Sequence, residues 1–357
     1  MRSDRHILLT LFPLYSVIVG LFLSGLMMLF LGQNPLVVYR DILLFAFRDI
    51  YNIADIFAKA VPLIFTGLAF GFAYRASLFN IGAQGQFYMG CLASVSCSLY
   101  FSFLPKVLLL SICLLSSLII GGLWGSLIGY AKARFNANEF LLSLMSTYVA
   151  IAIMNFLIRG PLIEAKGEYP QTDVIAQSAW IPLLIPHTRM HAGLILALLV
   201  AAAAYFILWK TALGFKIRAV GMNRDAARFA GIDERKIFVS VFFISGAFAG
   251  LAGFTEVNGI QHMLVQGFNP MIGTEGIGIA ILGNAHPLGI VLSAVLFGAL
   301  KVGGALAVQV SNISSSFLGI MEGCVMLSVI ISYFIRQHIM TVLEKKRLQE
   351  ESKVKIL

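Results

Sequence analysis

Residues 77–90 read SLFNIGAQGQFYMG: three glycines, one asparagine and two glutamines, with apolar sequence on both sides. The chain around them decides what such a stretch can mean. Of its 357 residues, 59% are hydrophobic and only 12% are charged, and the mean hydropathy is +0.88. A water-soluble domain carries roughly 25% charged residues. The composition therefore describes a polytopic membrane protein. In hydrocarbon every backbone N–H and C=O needs an internal partner, so spans are helices or closed barrels. The apolar runs are spanning-length blocks rather than alternating 10-mers, which selects helices.

Working outward, runs of about 20 residues occur near 7–31, 56–74, 81–104, 107–131, 139–158, 192–209, 237–257, 288–307 and 317–335, with a shorter Gly-rich run at 271–283. The expected fold class is all-α with about ten transmembrane helices. If the N-terminus is inside, 18 of the 26 basic residues fall on the cytoplasmic side, as the positive-inside rule requires. That balance needs 271–283 to count as a crossing and puts both termini inside. The net charge of +9 follows from this asymmetry and gives no reason to invoke nucleic acid. The run at 7–31 is long for a signal peptide and reads as a retained span. Residues 1–335 are expected to form one transmembrane domain, with an extracytoplasmic segment at 159–191, a cytoplasmic segment at 210–236 and a basic tail at 336–357. Cys91, Cys97, Cys113 and Cys324 lie in apolar runs without C-x-x-C spacing, so they read as small core residues rather than metal ligands or disulfides.

The quoted stretch has a second copy. Ile81-Gly82-Ala83-Gln84-Gly85 and Ile272-Gly273-Thr274-Glu275-Gly276 both fit I-G-[AT]-[QE]-G, after Phe79-Asn80 and Phe268-Asn269. Gly82, Gly85, Gly273 and Gly276 weaken helices and admit close neighbours. Paired Gly-interrupted segments in a transporter point to its solute site. Asn80, Gln84 and Tyr88 stand at i, i+4, i+8 and share one face if the segment is helical. With Gln86 beside them, they would suit a neutral hydrogen-bonding solute. The competing reading is that amides and glycines simply hold helices together.

Two further features carry chemistry. Residues 214–232, GFKIRAVGMNRDAARFAGI, are basic and hold a run of small residues with one aromatic, Phe229. A short helix there fits a partner's groove; a solvated loop is the alternative. Glu256, Glu275, Lys301 and Glu322 lie inside apolar runs, where a charge costs about 2.5–3.5 kcal/mol. Lys301 and Glu322 fall at similar depths on neighbouring antiparallel spans, roughly 9 Å and 8 Å from the outer end at 1.5 Å per residue, so they are expected to form an ion pair. There is no P-loop, no nucleophile–base motif, no His cluster, no voltage-sensing arginine series and no T-V-G-Y-G filter. No catalytic, metal or cofactor site is expected.

FNIGAQGQ at 79–86, GMNRDAARFAGI at 221–232 and GIGIAILGNAHPLGI at 276–290 together resemble the membrane permease subunit of ABC importers of the nucleoside, simple-sugar and branched-chain amino acid class. The likeness covers roughly 35–335 and is greatest to the nucleoside branch, whose usual form is FNIGAEGQ; here Gln84 replaces the acid. LGQNPLVVYRDIL at 31–43 also looks like that branch. Thr147 stands where the family usually has Asn, and Asn284-Ala285 where a basic or polar pair is usual. The resemblance implies a multi-pass protein of the cytoplasmic (inner) membrane that is not itself an enzyme. It implies a cytoplasmic ABC ATPase docked on Gly221, Asn223, Ala226, Ala227, Phe229, Gly231 and Ile232. A second permease, usually a sibling, and an extracytoplasmic binding protein or lipoprotein complete the set, with membrane lipid around them. It makes Asn80, Gln84, Gln86, Tyr88, Thr147 and Glu275 candidates for the pathway. The expected solute is a nucleoside, with riboflavin-like compounds or simple sugars in reach. An ion-coupled secondary transporter and a non-transporting assembly factor are the readings from other classes.

Overall fold

The computed structural model describes residues 2–30, 32–268, 271–311 and 316–354. Thirteen α-helices follow one another in them: α1 (Arg2–Phe30), α2 (Pro35–Ala46), α3 (Ile50–Tyr74), α4 (Ala83–Tyr100), α5 (Lys106–Phe135), α6 (Glu139–Arg159), α7 (Gly193–Lys210), α8 (Ala212–Met222), α9 (Arg224–Phe229), α10 (Glu234–Glu256), α11 (Ile272–Leu282), α12 (Pro287–Ser311) and α13 (Ser316–Val354). The only β-pairing among the described residues is two isolated bridges, Gln171 with Val265 and Leu183 with His191. The expected all-α class holds.

The chain divides into two compact units, Met1–Ile42 with Ala305–Leu357, and Leu43–Gly304. In the first, α1 packs on α13 at Gly20, where a Cβ would lie 2.6 Å from Val325 Cα. The Tyr39 hydroxyl, on α2, donates to the Leu21 carbonyl and lies 2.6 Å from Ser24 Oγ. The side chains of the six basic residues in the 336–357 tail lie outside the described residues.

In the second unit the helices differ in how much of their apolar surface other helices cover. The apolar windows of α3 and α10 are 89% and 78% buried, while those of α5, α6 and α7 are 22–28% buried. A helix that is apolar all round must be surrounded by protein or by lipid; α3 and α10 take the first solution within this chain, and α5, α6 and α7 leave most of their apolar surface outside it. Small residues make the inner packing tight. Gly121, Gly125 and Gly129 of α5 face α10, and a Cβ on Gly121 would lie 2.6 Å from the Gly246 carbonyl oxygen. Without a hydrophobic drive between helices in lipid, such close contact is what holds them.

Among the described residues, seven helices are long and apolar enough to cross a membrane, and they match seven of the expected runs. The remaining runs correspond to α1, α4 and α11. The last corrects an expectation. α11 has 11 residues, about 16 Å of helix against a hydrocarbon core of about 30 Å, so 271–283 is not a spanning helix by itself. The described residues 262–268 before it are non-helical, which at membrane depth is tolerated only where protein surrounds the backbone. Asn269, the counterpart of Asn80 in the second copy, and Pro270, inserted after it, lie outside the described residues.

The 159–191 segment folds as a cap over one end of this unit. The amide N–H groups of Thr172 and Ile175 donate to the carbonyls of Leu264 and His262, at 2.9 and 2.8 Å. Trp180 stacks on His262 with centroids 3.9 Å apart. Burial, with a smaller contribution from His262, pushes the His191 imidazole down to about 4. Asn258, in the π-helical turn Val257–Gln261 that ends α10, ties the cap to the bundle by donating to the Ala179 carbonyl at 2.9 Å.

Candidate functional site: two facing helix N-termini and the corner at 210–236

After α3 ends at Tyr74 the chain turns, with Ser77 at φ +53, and runs back into the bundle. Asn80 donates to Ser245 Oγ at 2.6 Å, and Ser245 donates to the carbonyl of Ala69 at 2.6 Å. Ala69 is five residues, about 8 Å of helix rise, before the end of α3. α4 therefore begins inside the protein. α11 begins there too. Its Gly273 N–H donates to Gln84 Oε1 at 2.5 Å, and a Cβ on Gly273 would collide with the Gln84 backbone. The two copies of I-G-x-x-G, 191 positions apart in the sequence, form the N-termini of two broken helices that abut.

The remaining motif residues build this junction. A Cβ on Gly85 would lie 2.8 Å from Thr147 Cα on α6, and one on Gly276 2.6 Å from the Thr66 carbonyl carbon on α3. A Cβ on Gly82 would meet the Ser143 carbonyl at 3.1 Å. The Thr147 hydroxyl donates to that same carbonyl at 3.1 Å. Asn80 and Gln86 exchange reciprocal amide bonds of 2.8 and 3.1 Å. The Tyr88 hydroxyl donates to the Phe268 carbonyl at 2.9 Å. The expectation of one solute-facing stripe needs correction. α4 starts at Ala83, so Asn80 is outside it, and only Gln84 and Tyr88 share a helical face. All four polar residues are buried, with exposures of 0–3%, because protein groups occupy their hydrogen-bonding positions.

Glu275 stands in the first turn of α11, where a helix N-terminus favours an anion. Its Oε1 lies 2.7 Å from Lys301 Nζ on α12, and its Oε2 has no hydrogen-bond partner. Depth matching paired Lys301 with Glu322. Lys301 thus has Glu275 as one partner, which depth alone did not single out because α11 is a half-helix. Glu322 belongs to α13 in the other unit.

The 210–236 segment forms α8 and α9, with Asn223 ending the first and capping the second. The Asn223 side chain accepts from Ala226 N at 3.0 Å. Gly231 ends α9 with φ +79, and the Ile232 N–H reaches back to the Ala227 carbonyl at 3.0 Å. Ala227 is buried at 4%, whereas Phe229 is 93% exposed and Met222 88%. Ala226 is also exposed. Asn223, Ala227, Gly231 and Ile232 therefore shape the corner, and Ala226 and Phe229 are what it presents. Gly221 lies against the Arg75 carbonyl with no room for a Cβ.

Sequence reasoning missed Arg75 and Ser77. Ser77 Oγ donates to the Gly221 carbonyl at 2.7 Å, and Arg224 donates to the Ser77 carbonyl at 3.3 Å. Arg75 donates to the carbonyls of Ala285 and Asn284, both at 2.9 Å, and its guanidinium lies 5.1 Å from the Trp209 ring centroid. One turn thus joins the corner to the end of α11. An isolated arginine ending an apolar run is the signal the sequence offers for it.

The family described as branched-chain amino acid transport system / permease component matches residues 52–330. The chain belongs to this family. Among relatives of known role, the guanosine ABC transporter permease protein NupP of Bacillus subtilis (strain 168) is 35% identical, over 94% of this chain and 97% of that protein. The glucose ABC transporter permease protein TsgB13 of Haloferax volcanii is 32% identical, over 91% of this chain and 88% of its own length. The nucleoside ABC transporter permease protein NupB of Lactococcus lactis is 31% identical, over 82% and 83% respectively. No solved structure matches the chain. As a member of this family the protein is an ABC importer permease of the all-α, multi-pass class.

Proposed function

We propose that this permease carries nucleosides inward across the cytoplasmic membrane, driven by separate ABC ATPase subunits and supplied by an extracytoplasmic binding protein. The observation that carries the solute class is the 35% identity to a guanosine permease along nearly the full length of both chains. A second, sibling permease would complete the pathway, and both termini would lie in the cytoplasm.

The working cycle follows from the contacts. An ATPase grips the exposed Phe229 and Ala226 on α9. Asn223 and Gly231 fix the ends of that helix, so the corner moves as a piece. Ser77 and Arg75 pass the displacement to the 284–285 turn, and α11 shifts at its N-terminus against Gln84. The facing helix N-termini act as a gate, which is why their amides bond to protein rather than stand open to solute. Thr147, packed on Gly85, borders that gate.

The test is uptake of labelled guanosine by cells with and without the gene, with unlabelled nucleosides, riboflavin and glucose as competitors. Loss of nucleoside-sensitive uptake on deletion supports the solute class; unchanged uptake overturns it. Phe229→Glu, placed at normal levels in the membrane, should abolish the same flux. Ala227→Glu is unsuitable for that purpose, because Ala227 is buried and its change would break α9 itself. Collapse of uptake by a protonophore while ATP is maintained would favour ion coupling instead.

A further inference from the structure

Where the cytoplasmic end of α5 meets the start of α10 there is a groove of about 440 Å³ lined by Tyr130, Ala133, Arg134, Arg235, Lys236, Val239 and Ser240. Three of its seven lining residues are cations and none is a carboxylate. The other basic groups nearby are engaged. Lys132 pairs with Glu139 at 2.9 Å, and Arg75 and Arg224 are bonded to backbone carbonyls. Arg134 and Arg235 are exposed, with no carboxylate partner among the described ion pairs. Lys236 has only the loose 3.5 Å contact with Asp233, whose carboxyl already accepts from the backbone N–H groups of Lys236 and Arg235.

The groove is graded in depth. Arg134 is the penultimate residue of α5, and Arg235 and Lys236 lie in the first turn of α10, so the charges form a rim at the helix ends. Tyr130 is one turn before Arg134, and Val239 close to one turn after Lys236. The floor therefore lies about 6 Å deeper and is apolar. Beyond Tyr130 the same side of α5 continues as Leu127 and Leu123, which are 61% and 51% exposed and face lipid.

We propose that this groove binds an anionic phospholipid, with the phosphodiester on Arg134, Arg235 and Lys236 and the upper acyl chain along Tyr130 and Val239. Charge complementarity selects an anion. The apolar floor opening onto lipid-facing leucines selects a lipid over free phosphate, which has no use for a hydrocarbon surface. Anionic lipid enriches the cytoplasmic leaflet and attracts basic groups at this depth. The site clamps α5 to α10, the pair packed through glycine contacts, and α10 follows directly on the α8–α9 corner.

The full-length protein, purified in detergent, would be titrated with phosphatidylglycerol and with phosphatidylcholine of the same acyl chains, and retained lipid counted by native mass spectrometry. One phosphatidylglycerol is expected to bind in preference. Arg134→Gln/Arg235→Gln should weaken it about 30-fold, at roughly 1 kcal/mol per basic residue, without changing phosphatidylcholine. Lys106→Gln, at the opposite end of α5, should change neither. Val239→Asn, with the rim intact, should weaken the lipid and spare any binding of glycerol-1-phosphate. Equal retention of the two lipids, unaltered phosphatidylglycerol binding in the double variant, or displacement of the lipid by millimolar glycerol-1-phosphate would each overturn the proposal.

Discussion

The two copies of I-G-x-x-G occupy equivalent places, each at the start of a broken helix, yet differ at their fourth residue. In the first copy it is Gln84, a neutral amide that accepts from Gly273 N–H. In the second it is Glu275, a carboxylate held 2.7 Å from Lys301. Both sit where a helix dipole favours negative charge. The second has Lys301 beside it, while in the first the acceptor meets a backbone N–H and needs no charge. The same first-turn position thus takes an anion where α12 supplies a cation and a neutral acceptor where the opposing group is a backbone N–H.

The glycines give the largest expected effect and the most direct way to break this comparison. Gly273→Ala would drive a Cβ into the backbone of Gln84 and should cost about 3 kcal/mol or more, seen as loss of folded protein in detergent. Gly82→Ala meets its neighbours only at 3.1–3.3 Å and should cost about 1 kcal/mol; equal losses would mean that the copies do not abut as described. Next, Lys301→Met leaves Glu275 buried beside no cation. A destabilisation of about 2–3 kcal/mol is expected, below the full range for buried pairs because the lysine side chain is 26% exposed. Lys301→Met/Glu275→Gln should recover most of it in a denaturation series, and absence of recovery would remove the pairing. Glu275→Gln alone should cost about 1 kcal/mol, since the partly exposed lysine can hydrate. The smallest change is Gln84→Glu. The Gly273 N–H and two helix N-termini can stabilise its charge, so stability should move by no more than about 1 kcal/mol and uptake should persist. A large loss there would show that the first copy tolerates no charge at all.

Much of this was legible in the sequence, and the failures have a common cause. Composition and run length settled the helical membrane class, and seven runs became helices of spanning length. The i, i+4, i+8 stripe failed at Asn80 because periodicity assumes one continuous helix, whereas the chain turns back at Ser77 and α4 begins later. The short run at 271–283 was taken for a crossing because charge counting registers which side a loop lies on, not whether a helix covers the distance. Depth matching missed Glu275 as a partner of Lys301 for the same reason. Ala227 could not be told from Ala226 by spacing, and only the burial of one and the exposure of the other separates cap from contact.

The sequence by itself determined the solvent, the helical class, the family and the two glycine motifs, because these depend on composition and on residues adjacent in the chain. Tertiary structure alone decided that the two motifs meet. It also decided that Glu275 has Lys301, that Arg75 and Ser77 join the corner to α11, and that Arg134 and Arg235 share a groove. Each of these is a contact between segments far apart in sequence. Such a contact is fixed by how closely backbones can approach where glycine leaves space, a distance that no pattern along one chain records.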